Sequence, residues 1–279
     1  MTEKLPSKKL DVQLIALDLD DTLLTTTLSI TPETVSALRR SAAVGIYIVL
    51  CSGRTENAIL PYIRKLSLAG MQQGRYLIAM NGSSIFDLHK RVQVYTRTVP
   101  PEILSEIYDE CIARGLPAQV YSPDTIYASA DNRWTHLDAK LCSLELEVVP
   151  DFRNFLQKGH PKMVIPGEPA ELAEFQSYLK KKFGDRAVIF ISKPYFLEIM
   201  PAGAGKGEAL EWLASHLEIP MEKTMAFGDS MNDESMIRKA GFSVAMCNGC
   251  EYIKRIADFV TRKSNESDGI ADFLENFVL

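Results

Sequence analysis

The sequence predicts a doubly wound parallel-sheet α/β core interrupted by an inserted α+β domain, and three features carry that prediction. Residues 14–17, Leu-Ile-Ala-Leu, are an apolar run of the kind that lies between two helical layers in a parallel sheet. Strand-like and helix-like segments alternate over residues 1–82 and again over 201–279, with strands ending in small polar or charged turns as a doubly wound sheet requires. Residues 83–200 instead read as short strands with two longer helices, the texture of an α+β domain.

Each element has a local reason. After the strand at 12–18, Thr31-Pro32-Glu33 starts a helix with Thr as N-cap, Pro at the first helical position and an acid in the first turn. That helix runs to about Ala43 and Gly45 ends it. Ile46–Cys51 is the second strand, Ser52-Gly53-Arg54 the next turn, and Ile59, Ile63 and Leu66 mark one face of the following helix. Tyr76–Met80 is the third strand, stopped by Asn81-Gly82.

In the insert, Ile85–Leu88 and Val92–Thr96 read as a meander. Pro100 and Pro101 open a helix with Ile103, Leu104, Ile107 and Cys111 on one stripe, closed by Gly115. Strands are expected near 118–122, 125–129, 144–149 and 162–165, then a helix with Leu172, Phe175 and Leu179 on one face, then strands at 188–191 and 196–200. The α/β texture resumes with a helix from Lys206 to about His216, a strand Thr224–Gly228, a helix near 233–239, strands at 242–246 and 258–261, and a last helix from Gly269.

Composition narrows the function. The 279 residues are 46% hydrophobic and 24% charged, with a net charge of −5, ordinary for a globular protein and without the basic stripe of a nucleic-acid binder. The tight basic run Lys180-Lys181-Lys182 closes an amphipathic helix, where cations suit the dipole. No apolar run reaches the roughly 18 residues of a membrane span, and the N-terminus has no long apolar signal core. A cytoplasmic location and no membrane partner follow as expectations. Cys51, Cys111, Cys142, Cys247 and Cys250 are an odd, scattered set that suits reduced thiols. Cys247 and Cys250 form a C-x-x-C without a second pair or a His at zinc spacing. Tyr121, Tyr127 and Trp134 read as packing aromatics.

Chemistry gathers where strands end. Asp18 and Asp20 follow the first strand, Ser52 the second, and Asp229 with Asp233 the strand Thr224–Gly228; Lys206 opens a helix. Ligands of open α/β sheets bind at that edge. Strand alternation would project Asp18 and Asp20 together. Four carboxylates around one crevice need a cation, and oxygen donors without His or Cys select a hard one, Mg²⁺. Ser52 and Gly53 open a helix whose N–H groups suit phosphate, and Arg54 would suit a phosphorylated ligand. Together these residues point to phosphoryl transfer: Asp18 as nucleophile, Asp20 as acid and base, with Lys206 and the cation stabilising the transferring oxygens. Gly203-Ala-Gly205-Lys206-Gly207 is not a nucleotide P-loop, since Met200 replaces its first glycine and Gly207 its Ser or Thr.

These motifs resemble those of the haloacid dehalogenase (HAD) superfamily of aspartate-nucleophile phosphatases. Asp18-Leu-Asp20-Asp21-Thr22 resembles its first motif, Ser52 its second, Lys206 its third, and Gly228-Asp229-Ser-Met-Asn232-Asp233 its fourth. Within it the Cof-type subfamily is the nearest likeness, through Cys51-Ser-Gly-Arg54, Asn81-Gly82, Lys206-Gly-Glu-Ala-Leu210, Val244-Ala-Met246 with Asn248, and Asp268-Gly269. The resemblance implies a Rossmann-like core with a substrate-selecting cap at 83–200. It also implies Mg²⁺ held by Asp18, Asp229 and the carbonyl of Asp20 with support from Asp233, and phosphate or substrate bound by Ser52, Gly53, Arg54, Asn81, Lys206 and Asn232.

The implied activity is hydrolysis of small phosphorylated metabolites, sugar phosphates first and phosphorylated cofactors second. A sugar phosphomutase or a catalytically silent phosphometabolite-binding regulator are the alternatives. Asp21 stands where a glycine is usual, and Cys51-Ser52 where many relatives carry Ala-Thr; both changes leave the acting groups intact.

Overall fold

The computed structural model describes residues 4–279, which divide into two compact units: residues 4–53, 59–94 and 205–279, and residues 54–58 with 95–204. In chain order the first unit begins with β1 (Leu14–Leu17), α1 (Pro32–Ala43), β2 (Tyr47–Cys51), α2 (Glu56–Lys65), β3 (Tyr76–Ala79), β4 (Ser84–Asp87) and β5 (Val92–Thr96). The inserted elements are α3 (Pro101–Arg114), β6 (Gln119–Tyr121), β7 (Thr125–Ala128), α4 (Arg133–Cys142), β8 (Glu145–Val148), α5 (Phe152–Phe155), β9 (Met163–Pro166), α6 (Pro169–Phe183), β10 (Ala187–Lys193) and β11 (Phe196–Pro201). The first unit closes with α7 (Lys206–His216), β12 (Thr224–Gly228), α8 (Glu234–Lys239), β13 (Phe242–Ala245), α9 (Glu251–Ile256), β14 (Phe259–Val260) and α10 (Gly269–Phe277).

The first unit is a mixed sheet of eight strands, ordered β14-β13-β12-β1-β2-β3-β4-β5. Its six strands from β14 to β3 run parallel, and β4 turns back antiparallel on β3. All four residues of β1 are fully buried, which is why that strand shows no alternation in sequence: both of its faces are covered. The sequence pattern assigned β4 and β5 to the insert. They instead extend the core sheet, because the turn Met80–Gly82 returns the chain alongside β3 with Tyr76 opposite Asp87.

Helix α1 starts at Pro32 as expected, yet Thr31 makes no side-chain cap. Its hydroxyl donates to Thr34 Oγ1 at 2.9 Å instead. Fixed proline geometry is what starts this helix.

One ion pair, buried at Asp87 and partly exposed at Arg75, ties the chain before β3 to the end of β4. Arg75 donates from Nε (2.9 Å) and Nη2 (2.6 Å) to Asp87, which also accepts the backbone N–H groups of His89 and Lys90. The Arg75 hydrogen bonds hold the Asp87 carboxyl down at about 2. A carboxylate lowered in this way stabilises the fold above its unfolded value near 4, and that contribution disappears as pH falls towards 2. We expect Asp87→Asn to cost about 2 kcal/mol in urea unfolding at pH 7. The gap between variant and wild type should close below about pH 3; a pH-independent gap would show that the charge is not its source.

The second unit is a six-stranded sheet, β10-β11-β9-β6-β7-β8, antiparallel except between β7 and β8. Ile103, Leu104, Ile107 and Cys111 of α3 and Leu172, Phe175 and Leu179 of α6 pack with Val120, Ile165, Leu197 and Ile199 in one core. Helix α4 was not anticipated from the sequence. Asn132 caps it, accepting from the N–H groups of Trp134 (2.8 Å) and Thr135 (2.9 Å), while Thr135 Oγ1 accepts from the N–H of Asn132. This is a capping box with Thr in place of the usual Glu or Gln, so the usual signature is missing. Asp138 on α4 accepts from Gln119 and Tyr121, and Lys162 pairs with Glu198 at 3.4 Å. The aromatics do pack: Trp134 stacks on Tyr195 and Tyr127 meets Phe155. Among the described residues no helix is long and apolar enough to cross a membrane.

Candidate active site

Strand order decides where the carboxylates meet. From β1 the chain winds outward through β2 and β3 on one side, and β12, β13 and β14 lie on the other, so β1 and β12 flank the point where the order reverses. Crevices at such points are where open α/β sheets bind ligands. Leu17 sits opposite Phe227, and the N–H of Asp18 donates to the carbonyl of Phe227 at 3.1 Å. Asp18 and Asp229 therefore emerge from neighbouring strand ends although they are far apart in the chain.

Asp18, Asp229 and Asp233 each offer an oxygen within 4.8 Å of the others. Lys206 Nζ lies between two of them, 2.5 Å from Asp18 Oδ1 and 2.6 Å from Asp233 Oδ1. Lys206 and Asp233 are completely buried and Asp18 is 4% exposed. The other oxygen of Asp233 accepts the backbone N–H groups of Asp229 (3.0 Å) and Ser230 (3.2 Å), and Thr22 donates to Asp229 Oδ1 at 3.0 Å. Asp233 thus braces the turn that presents Asp229 as well as anchoring the lysine.

Two glycines allow this approach. Gly82 has φ of +93°, and a Cβ there would lie 2.0 Å from the carbonyl oxygen of Gly205, the residue before Lys206. At Gly228 a Cβ would stand 2.7 Å from Cβ of Asp233. Any side chain at either position would push the lysine or the acid out of place.

The electrostatics are unbalanced as they stand. Burial, then the field of Asp233, raises Asp18 well above the carboxylate range, and Lys206 offsets only part of this. Burial followed by Asp233 pushes Asp229 up to about 7, against the hydrogen bond from Thr22. For Lys206 burial favours the neutral amine, but Asp18 and Asp233 outweigh it and hold the ammonium firmly charged. Three carboxylates around one ammonium, all with oxygen donors, fit a hard divalent cation, which would restore the ionised forms of Asp18 and Asp229.

Asp20 is half-buried and its carboxylate is not among the three grouped acids. Strand β1 ends at Leu17, so strand alternation is not what places Asp20, which lies in the turn that follows. Ser52 is buried, donating its N–H to Ile78 and accepting from the N–H of Asn81. Gly53 lies against the Asn81 carboxamide, and Asn232 Nδ2 donates to Asn81 Oδ1 at 3.3 Å. Asn81 is itself left-handed, with φ of 51°. Ser52, Gly53, Asn81 and Asn232 thus form one connected polar group in the first unit. Arg54 belongs to the second unit. Burial raises the Cys51 thiol far above its ordinary value, so the residue before Ser52 is a core side chain and not a nucleophile.

A family model for haloacid dehalogenase-like hydrolases matches residues 15–274. The chain belongs to the haloacid dehalogenase superfamily. A haloacid dehalogenase-like hydrolase from Bacteroides thetaiotaomicron superposes with a TM-score of 0.85 at 30% identity, covering 95% of this chain and 99% of that one. An HMP-PP phosphatase of Serratia proteamaculans is 29% identical over 95% of both chains. The 5-amino-6-(5-phospho-D-ribitylamino)uracil phosphatase YwtE of Bacillus subtilis is 26% identical over 95% of this chain and 97% of its own. The fold is that of this superfamily and of its Cof-type members, and the enzyme is a HAD-type phosphatase.

Proposed function

We propose that this HAD-type enzyme is a Mg²⁺-dependent phosphomonoesterase that hydrolyses small phosphorylated metabolites through an aspartyl-phosphate on Asp18. One observation carries the reading: a buried carboxylate at the switch point of the sheet is held by a buried lysine within 4.8 Å of two further acids. That arrangement is costly in an empty protein and useful around a transferring phosphoryl group.

The carboxylates of Asp18 and Asp229 with the backbone carbonyl of Asp20 would hold Mg²⁺, Asp233 supporting them. Bound there, the ion supplies positive charge to the phosphoryl oxygens. Asp18 attacks phosphorus, the ester P–O bond breaks, and Asp20 gives its proton to the departing oxygen. Asp20 then takes a proton from water, whose oxygen attacks the acyl phosphate and releases inorganic phosphate and Asp18. Lys206 keeps Asp18 oriented and offsets charge throughout. Ser52 and Gly53, with Asn81 and Asn232 behind them, bind phosphate. Selection of the leaving group falls to the inserted unit, including Arg54. Sugar phosphates are the first substrate class and phosphorylated cofactors the second; the two named relatives, one acting on a phosphorylated ribityl compound, support small metabolites.

A panel of phosphomonoesters assayed for inorganic phosphate tests this. We expect release from at least one small metabolite with Mg²⁺ and without any bisphosphate activator, complete loss in EDTA, and recovery with excess Mg²⁺. Mg²⁺ should also raise the unfolding temperature, since an ion at 100 times its Kd stabilises by about 2.7 kcal/mol. Phosphate release that survives chelation would remove the metal from the scheme, and no release from any ester would remove the activity.

A further inference from the structure

The turn that carries Asp20 is not held by the carboxylate cluster alone. After Asp18 the chain makes a wide turn in which the N–H of Leu23 reaches the carbonyl of Asp18 (3.3 Å) and that of Leu24 the carbonyl of Leu19 (2.8 Å). Asp21 within it has φ of 61°, a left-handed conformation that an L-residue adopts more readily where its surroundings hold it. Two asparagines from separate connections do so. Asn248, just beyond β13, donates from Nδ2 to the carbonyl of Asp21 at 2.8 Å. Its own Oδ1 accepts the N–H of Asn265 at 3.2 Å, and Asn265 Nδ2, beyond β14, donates to the carbonyl of Leu24 at 2.8 Å. Glu266 adds a third tie, accepting the N–H of Thr26 at 2.6 Å.

We infer that Asn248 and Asn265 are positioning residues for Asp20: they hold the backbone that follows it at Asp21 and Leu24 and so set where the acid–base carboxyl sits relative to Asp18. This rests on the phosphatase reading above. The residue type is specific to the task. Asn248 must donate to one backbone carbonyl and accept from another N–H with a single short side chain. Aspartate could not donate to the Asp21 carbonyl; leucine could do neither; glutamine would be longer by one methylene. The two asparagines make no hydrogen bond to Asp18, Lys206, Asp229 or Asp233, and Thr22 keeps its own tie to Asp229 at 3.0 Å. With Mg²⁺ saturating, so that any shift of the Asp20 carbonyl as a metal ligand is offset, loss of the clamp should impair proton transfer to the leaving group more than phosphate binding.

The test compares Asn248→Ala and Asn265→Ala with wild type on two esters: an alkyl phosphate, whose leaving oxygen needs a proton, and p-nitrophenyl phosphate, whose leaving group departs without one. The quantity read is kcat/KM, which reports the steps through formation of the phosphoenzyme. We expect a fall of about 10- to 100-fold on the alkyl ester, the range set by general-acid catalysis and by misplacement of a catalytic group, and a change of less than about threefold on p-nitrophenyl phosphate. Hydrogen exchange in the 18–29 segment should quicken while the carboxylate-bearing turn at 228–233 keeps its protection. Equal losses on both esters, or unchanged rates and exchange, would overturn the inference. Asn248 is exposed, so its alanine variant tests the clamp with little disturbance to the core, and Asn265→Ala, from a buried position, must show the same selectivity. The alkyl ester is one found active in the metabolite panel; if wild type hydrolyses no ester of that panel, the phosphatase reading itself has failed, an outcome distinct from loss of selectivity in the variants.

Discussion

Asp18→Asn should reduce phosphate release by about 10⁴-fold or more and at the same time raise the melting temperature of the metal-free protein. Both effects follow from one side chain. The amide cannot attack phosphorus, while its oxygen can still accept from Lys206, so the pocket keeps its shape. The stability change has a definite sign. Asp18 sits well above its ordinary value because burial and Asp233 disfavour its charge. An acid raised in the folded state costs stability once pH exceeds its unfolded value, near 4, and asparagine carries no such cost. Thermal melts in EDTA at pH 7.5 should therefore place the variant above wild type, and added Mg²⁺ should narrow or reverse the gap. A variant with near-normal turnover would remove Asp18 as nucleophile. One that is inactive but less stable in EDTA would show that Asp18 is held by more than Lys206.

Lys206→Met should be the most damaging single change to the fold around the pocket. The substitution fills most of the volume but leaves Asp18 and Asp233 facing each other without their shared ammonium. Removing one partner of a buried ionic group costs about 3–5 kcal/mol, chiefly because the remaining charge is stranded. Urea unfolding at pH 7.5 should show that loss. It should shrink as pH falls and Asp18, already raised by burial, takes up a proton in the variant, its charge being what the loss depends on. Activity should disappear with it. Lys206→Arg should not rescue, since a fully buried site shaped for a compact ammonium has no space for a planar fork. A variant as stable as wild type at pH 7.5 would mean that no stranded charge remains there and would overturn this account.

The positions of these residues in the sequence already pointed to the chemistry. The run Leu14–Leu17 ahead of Asp18, the helix start at Pro32, the stop at Gly115 and the acid after Gly228 are local signals, set by burial on both faces, fixed φ, left-handed caps and strand termination. Local signals survive translation into structure because they depend on a few neighbours. Helix α4 escaped because its box uses Thr135, and the hairpin β4–β5 because nothing within it says which sheet it will join.

Much of the site lay outside what neighbours can specify. Lys206 meets Asp18 across 188 positions of chain, and that encounter exists only because β1 and β12 pair at the switch point. Asp20 looked placed by alternation; β1 ends at Leu17, so a turn and its tertiary ties place it instead. Asn248 and Asn265 belong to no period or cap, so their hold on the Asp20 turn is visible only once β13 and β14 bring their connections to the same sheet edge. By itself the sequence determined most of the elements, the nucleophile candidate and the class of chemistry, because these follow from local burial and residue type. Tertiary structure alone decided which acids share the lysine, which left-handed residues are imposed, and what holds the turn, because each depends on strand order bringing distant backbone into hydrogen-bonding reach.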